Sequence, residues 1–137
     1  MYLVDTNVLS AMRRQDKADP RFAAWVRATP PEDMYLSVLS LYEIKVGVHA
    51  VARRDPMQGR DLDRWLHNFV LAAFVDRILM VSPAVCLRCA GLRVPDPRPV
   101  IGSLIAATAL EHHLIVVTRN VADFQPMGVG ILDPWQA

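Results

Sequence analysis

The chain has 137 residues, enough for one compact domain that buries a single core without disulfides or a structural metal. Hydrophobic residues make up 53% of it, which excludes a disordered chain, and no apolar run approaches the roughly 18 uninterrupted residues of a membrane span. The formal charge is +1, with arginine supplying every basic residue except Lys17 and Lys45, so contact with nucleic acid has to depend on local clusters.

Met1 leads towards Asp5 rather than into a charged and then apolar leader, so a soluble cytoplasmic protein is expected. Tyr2-Leu3-Val4 reads as a short strand ending at Asp5, followed by a helix from about Asn7 to Arg14. Asp19-Pro20 is a cap with proline at the first helical position and opens a helix through Trp25 to Ala28, which Pro30-Pro31 closes. Met34 to Val38 is the next strand, and a long helix is expected from about Ser40 to Arg53. Asp55-Pro56 and Gly59 mark a break before Leu62, Trp65, Leu66, Phe69, Val70 and Ala73, an amphipathic stripe that completes a helical hairpin.

Arg77 to Val81 is a strand candidate, Pro83 to about Leu92 a helix, and Val94 to Pro99 a proline-rich loop containing Asp96. Ile101 to His112 is a helix of small apolar residues suited to close packing on a sheet. Ile115-Val116-Val117 is β-branched throughout and reads as a strand, and a last strand lies near Val129 to Leu132. Strands alternating with helices imply right-handed crossovers and a central, mostly parallel β-sheet flanked by helices in an α/β fold, here a single domain over residues 1–137.

Cys86-x-x-Cys89 has no second ligand pair at zinc spacing, and Ser82-Pro83 starts a helix upstream of both thiols. They are expected to be buried and reduced. The arginine clusters (Arg13, Arg14 and Lys17; Arg53 and Arg54; Arg88, Arg93 and Arg98) each read as solvated helix faces when taken alone.

In a parallel sheet, ligands bind beyond the carboxyl ends of the strands. Asp5, Glu43 and Asp123 all fall at or just past such ends. Singly, each has a structural alternative: Asp5 as a helix cap, Glu43 as the last member of a Ser40-x-x-Glu43 capping box, Asp123 as a cap near Phe124. Together they form a carboxylate cluster whose mutual repulsion calls for a cation, and an oxygen-only set suits magnesium or manganese. Thr118 and Asn120 add neutral hydrogen-bonding groups beside Asp123. Neither the acidic pair of a receiver domain nor the second aspartate of a haloacid-dehalogenase-like phosphatase is present near Asp5, and no Gly-x-Ser-x-Gly elbow or His-Glu-x-x-His helix occurs.

Val4 to Ser10, Ser37 with Ser40 to Ile44 and Gly47, Leu104 to Ala109, Thr118 to Phe124 and the terminal Asp133-Pro134-Trp135 occur in the order found in PIN-domain toxins, which the chain resembles along essentially its whole length. The resemblance is closest to the VapC and FitB branch of type II toxin-antitoxin systems. It implies a PIN-like three-layer fold and a Mg2+- or Mn2+-dependent endoribonuclease that cuts RNA of the tRNA or rRNA class. It also implies a homodimer held inactive by a small VapB- or FitA-like antitoxin in a larger complex. Asp5, Glu43 and Asp123 match three of the family's four acidic metal-binding positions, and Asn7, Thr118 and Asn120 match its polar positions.

The fourth acidic position holds Gly102, so the resemblance implies a weakened enzyme or a PIN-fold protein that binds antitoxin or RNA without cleaving it. An introduced substitution, a natural degenerate toxin and rescue by Asp96 or water are the alternatives at that position; loss of activity is the expectation. The apolar excess of the hairpin, Leu41, Ile44, Val46, Val48 and Val51, does not fit one stripe and marks either an antitoxin groove or a face buried within the domain.

Overall fold

The computed structural model describes residues 1–14 and 19–136, so Lys17 of the first basic cluster lies outside the described residues. Five short strands form one sheet: β1 (Tyr2–Val4), β2 (Met34–Ser37), β3 (Ile78–Leu79), β4 (Ile115–Val117) and β5 (Ile131–Leu132). They lie in the order β3-β2-β1-β4-β5, and every pairing is parallel, so the sheet is wholly rather than mostly parallel. The chain steps outward from β1 to β2 and β3, then crosses to β4 on the other side. That reversal of direction leaves a crevice beyond the ends of β1 and β4.

Alternation along the strands divides the core into two layers of side chains. Val4, Leu36 and Val117 face one way and pack with Val8 and Leu9 of α1 (Thr6–Met12), Phe22 of α2 (Pro20–Ala28) and Ile44 of α3 (Val38–Arg54). Leu3 and Val116 face the other way, against Ile105, Ala106 and Ala109 of α7 (Val100–His112), while α6 (Pro83–Leu92) packs on α7 through Val85, Cys89 and Ala107. Helices on both faces explain why the strands are apolar on both sides.

Local chemistry sets most of the helix starts. Asp19 accepts a hydrogen bond from the Arg21 amide at 2.8 Å, Asp55 from Gln58 at 3.1 Å and Ser82 from Val85 at 3.2 Å, each just before a proline at the first helical position. Helix α3 departs from expectation. It begins at Val38, capped by Ser37 through the Leu39 amide at 3.1 Å. Ser40 and Glu43 therefore lie inside the helix, and no capping box forms.

Gly59 does not break the hairpin either. It sits within α4 (Pro56–Trp65), where a Cβ would come 2.6 Å from the Ala52 Cβ, so glycine is required for α4 to approach α3. The expected stripe ends early because residues Leu66–Val70 form a π turn before the short α5 (Leu71–Ala73). The extra residue in that turn keeps Leu66 and Val70 inward and turns Phe69 outward. In the first half of the hairpin Ile44 and Val48 are buried while Val46 is exposed, so the apolar excess there is partly core and partly surface.

Both thiols lie in α6, but only Cys89 is buried; Cys86 is exposed, contrary to expectation, because i and i+3 straddle the edge of the buried face. Burial pushes the Cys89 thiol above its ordinary pKa, the opposite of what a redox nucleophile needs. Among the arginines, Arg88 pairs with Glu111 at 2.8 Å and Arg93 donates to the Arg98 carbonyl at 2.8 Å, while Arg53 and Arg54 remain solvated at the end of α3. No helix among the described residues is long and apolar enough to cross a membrane.

The two hairpin glycines make opposite predictions. Gly47 has open space where a Cβ would stand, so Gly47→Ala is expected to raise unfolding stability by up to about 1 kcal/mol through helix propensity. Gly59→Ala is expected to lower stability by about 1–3 kcal/mol, because α4 must move off α3. Urea denaturation of the two variants measures both changes, and a stabilised Gly59→Ala would show that the helices do not meet there as described.

Candidate active site

The pairing of β1 with β4 brings Val4 opposite Val117, so Asp5 and Thr118 leave the sheet side by side. The Asp5 amide still donates to the Val117 carbonyl at 2.9 Å, extending the ladder by one rung. Asp5 then caps α1, its Oδ1 accepting from the Thr6 amide at 2.8 Å, while Oδ2 accepts from the Thr118 hydroxyl at 2.9 Å and from Asn7 Nδ2 at 3.2 Å. The capping role and the cluster role thus fall on the same carboxylate.

Thr118 is wholly buried, and its hydroxyl also accepts from Asn7 Nδ2 at 3.2 Å and from the Asn120 amide at 3.0 Å. Asn7 Oδ1 in turn accepts from the Arg119 amide at 3.1 Å. This closed set of hydrogen bonds locks Asn7 and Thr118 around Asp5. Neither residue lines the cleft, so both act through Asp5.

The cleft itself has a volume of about 180 Å³ and is lined by Asp5, Glu43, Asn120 and Asp123 together with Gly102 and Arg98. Glu43 reaches it from the second turn of α3, and its Oε1 accepts from the Thr6 hydroxyl at 2.6 Å. That same hydroxyl shares a 3.0 Å hydrogen bond with Ser40 Oγ. Asp123 lies within the short helix α8 (Val121–Phe124) and is exposed; it caps nothing, since Asn120 stands at the helix start. The structural alternatives for Glu43 and Asp123 therefore do not hold, and both carboxylates are available to the cleft.

Three residues at the site escape a reading by motif. Thr6 connects α1 to α3 by meeting Ser40 Oγ and holds Glu43, and Ser40 lies one turn before Glu43 on the same face of α3. Arg98 lines the cleft just before α7, with its Nε donating to the Leu92 carbonyl at 3.3 Å. Asp96 does not replace the carboxylate absent at Gly102: it is exposed, 3.7 Å from Arg98 and outside the cleft lining.

Burial is the largest influence on Asp5 and raises its carboxyl pKa above the ordinary 3.8. The Thr118 hydroxyl and Thr6 amide oppose that rise, and the negative charges of Glu43 and Asp123 add to it. A carboxylate that is costly to ionise, first because it is buried and further because two others face it, is an electrostatic condition that a divalent cation relieves, and the donors are all hard oxygens. In kind the residues fit such an ion. In number they fall short: among the described residues no three His, Cys, Asp or Glu side chains are gathered closely enough to hold a metal by themselves. The first turn of α7 carries no acidic residue, and Gly102 contributes a cleft wall without a side chain.

A family model described as "PIN domain" matches residues 2–125. A relative named VapC ribonuclease Y4jK, from Sinorhizobium fredii, is 32% identical over 99% of this chain and 99% of its own length. Toxin FitB of Neisseria gonorrhoeae is 31% identical over 98% of this chain and 99% of its own. Among solved structures, FitAcB from Neisseria gonorrhoeae superposes with a TM-score of 0.89 at 30% identity, covering 100% of both chains.

Because its folded-state pKa is raised, Asp5 contributes stability that is fully present below pH 3.8 and is lost as the pH rises through the raised value. In metal-free protein, carbon-detected NMR titration of the Asp5 carboxyl is expected to give a midpoint above 3.8, moved down by Glu43→Gln or Asp123→Asn and further up by Thr118→Val. A midpoint indifferent to Glu43 and Asp123 would mean that the three carboxylates do not share one site.

Proposed function

The chain belongs to the PIN-domain family, and from that membership we propose that it is the toxin of a type II toxin-antitoxin pair, a divalent-metal-dependent endoribonuclease hydrolysing RNA phosphodiester bonds. The observation that carries the reading is the meeting of Asp5, Glu43 and Asp123 at the crevice beside β1 and β4, in a chain similar from end to end to a VapC ribonuclease. Residues 1–137 act as a single PIN domain in the cytoplasm. Its partners are an RNA of the tRNA or rRNA class, a second copy of the chain, and an antitoxin of the VapB or FitA kind.

Asp5, Glu43 and Asp123 would supply protein oxygens to the cation, magnesium or manganese, with water completing a set that the three carboxylates do not close by themselves. When bound, such an ion lowers the pKa of water and offsets charge on the phosphoryl oxygens. Asp5 is the fixed point of the set. Thr6, Asn7 and Thr118 occupy three of its roughly four lone-pair sites and restrain the carboxylate, leaving one on Oδ1 for a cation. Thr6 also restrains Glu43, linking the two carboxylates through its backbone amide on Asp5 and its hydroxyl on Glu43. Asp123 and Asn120 stand at the exposed edge, where RNA and water arrive. Asn120 thereby presents an amide to the substrate side while its backbone braces Thr118.

Gly102 weakens this machinery by one carboxylate. A Cβ added there would meet nothing within 4 Å, so the backbone at this position admits a side chain. It is the third residue of α7, where a negative charge also interacts favourably with the helix N-terminus. Cleavage of total tRNA at saturating magnesium is expected to be at least about a hundredfold faster for Gly102→Asp than for the parent chain, the scale of one lost transition-state charge partner. Calorimetry should show tighter magnesium binding by the same variant. Equal cleavage rates would refute the impairment, and absence of both cleavage and metal binding in the two forms, with antitoxin binding intact, would establish a binding protein in place of an enzyme.

A further inference from the structure

The strand end that supplies Thr118 to the site also supplies Arg119, whose amide is bonded to Asn7 and whose side chain leaves the cleft. The guanidinium carbon lies 4.6 Å from the centroid of the Trp135 ring. Trp135 is itself fixed. Its ring stacks on the buried Phe22, with centroids 4.5 Å apart and planes within 6°, and its amide donates to the Asp133 carboxylate at 2.9 Å. Beyond it, Arg21 in the first turn of α2 reaches the Trp135 carbonyl with Nη1 at 3.5 Å.

Arg64, Arg88 and Arg98 have carboxylate neighbours, at 2.9, 2.8 and 3.7 Å respectively. Arg119 and Arg21 have none within ion-pair distance among the described residues. A guanidinium laid on an indole keeps its charge and its N–H edge while losing rotational freedom, the arrangement that favours bidentate contact with phosphate. Its position has an electrostatic purpose. Three carboxylates in the cleft repel a polyanion, and a chain of net charge +1 offers no general attraction, so cations must flank the cleft locally.

We propose that Arg119, propped on Trp135 and followed by Arg21, is a phosphate-binding ledge that carries the RNA backbone away from the cleft past the end of β4. The assignment rests on the ribonuclease reading above, and it adds the path of the strand and the residue that anchors it. Arg119 is a positioning residue, acting on a phosphate adjacent to the one cleaved.

The test is fluorescence anisotropy with a labelled oligouridylate of about twelve nucleotides, within the span of known single-strand sites. Binding is measured over a potassium chloride series at constant magnesium, with the RNA checked to be intact afterwards. Arg119→Gln is expected to weaken binding about tenfold, as loss of a charged hydrogen bond does, and to reduce the slope of log affinity against log salt by about 0.7. Arg119→Lys should keep the slope but bind more weakly than the parent, because the planar fork is lost. Arg60→Gln removes the same charge from α4, far along the hairpin, and should change affinity by less than about twofold.

Unchanged affinity and slope in a folded Arg119→Gln, or an equal loss in Arg60→Gln, would overturn the ledge while leaving the ribonuclease reading intact. A parent chain that binds no RNA in either its Gly102 or its Gly102→Asp form would overturn both.

Discussion

The parallel pairing of β1 with β4 is the constraint on which the rest of this molecule depends. One rung of that ladder, Val4 against Val117, sets Asp5 beside Thr118 and thereby fixes where a buried carboxylate can exist. Asp5 is too buried to ionise cheaply, and the Thr118 hydroxyl and the Thr6 backbone amide favour its charged form and partly offset that burial. Shifting β1 by one residue would turn Asp5 towards a core layer and leave Thr118 without its acceptor. The register of the sheet and the electrostatics of the site are therefore one problem with one solution.

From that fixed point the other carboxylates arrive by different routes and with different freedom. Glu43 comes from a long helix and is steadied by Thr6, so its position follows from the packing of α1 against α3. Asp123 comes from a single turn of helix at the surface and is the most exposed of the three. The cluster is thus graded, hydrogen-bonded on several sides at its base and open at its rim. Gly102 interrupts the wall on the α7 side. The helix is intact there and a Cβ would meet nothing within 4 Å, so glycine is not required at this position by packing.

Much of the fold was legible because it is local chemistry. Asp19-Pro20, Asp55-Pro56 and Ser82-Pro83 each announce a helix start through a side-chain acceptor followed by a residue with no amide to satisfy, and each cap forms. The hairpin was less legible. Gly59 reads as a breaker from sequence, yet its role is to let Ala52 approach, a fact that belongs to two helices at once. The π turn after Trp65 rotates Phe69 outward, and no periodic reading anticipates a one-residue change of phase. Ser37 and Ser40 are both credible caps, and the choice of Ser37 decides whether Glu43 serves its own helix or the cleft.

By itself the sequence determined the alternation of strands and helices and the placing of Asp5, Glu43 and Asp123 at or just past strand ends, because apolar periodicity and caps are properties of neighbours along the chain. Only the tertiary structure decided that Asp96 stays outside the cleft, that Arg98 lines it, that Thr6 ties Glu43 to α1, and that Arg119 lies on Trp135 with Phe22 beneath. These relations join segments far apart in the chain, as Phe22 and Trp135 are. Such relations are set by packing and strand register, which the spacing of residues along the chain does not encode on its own.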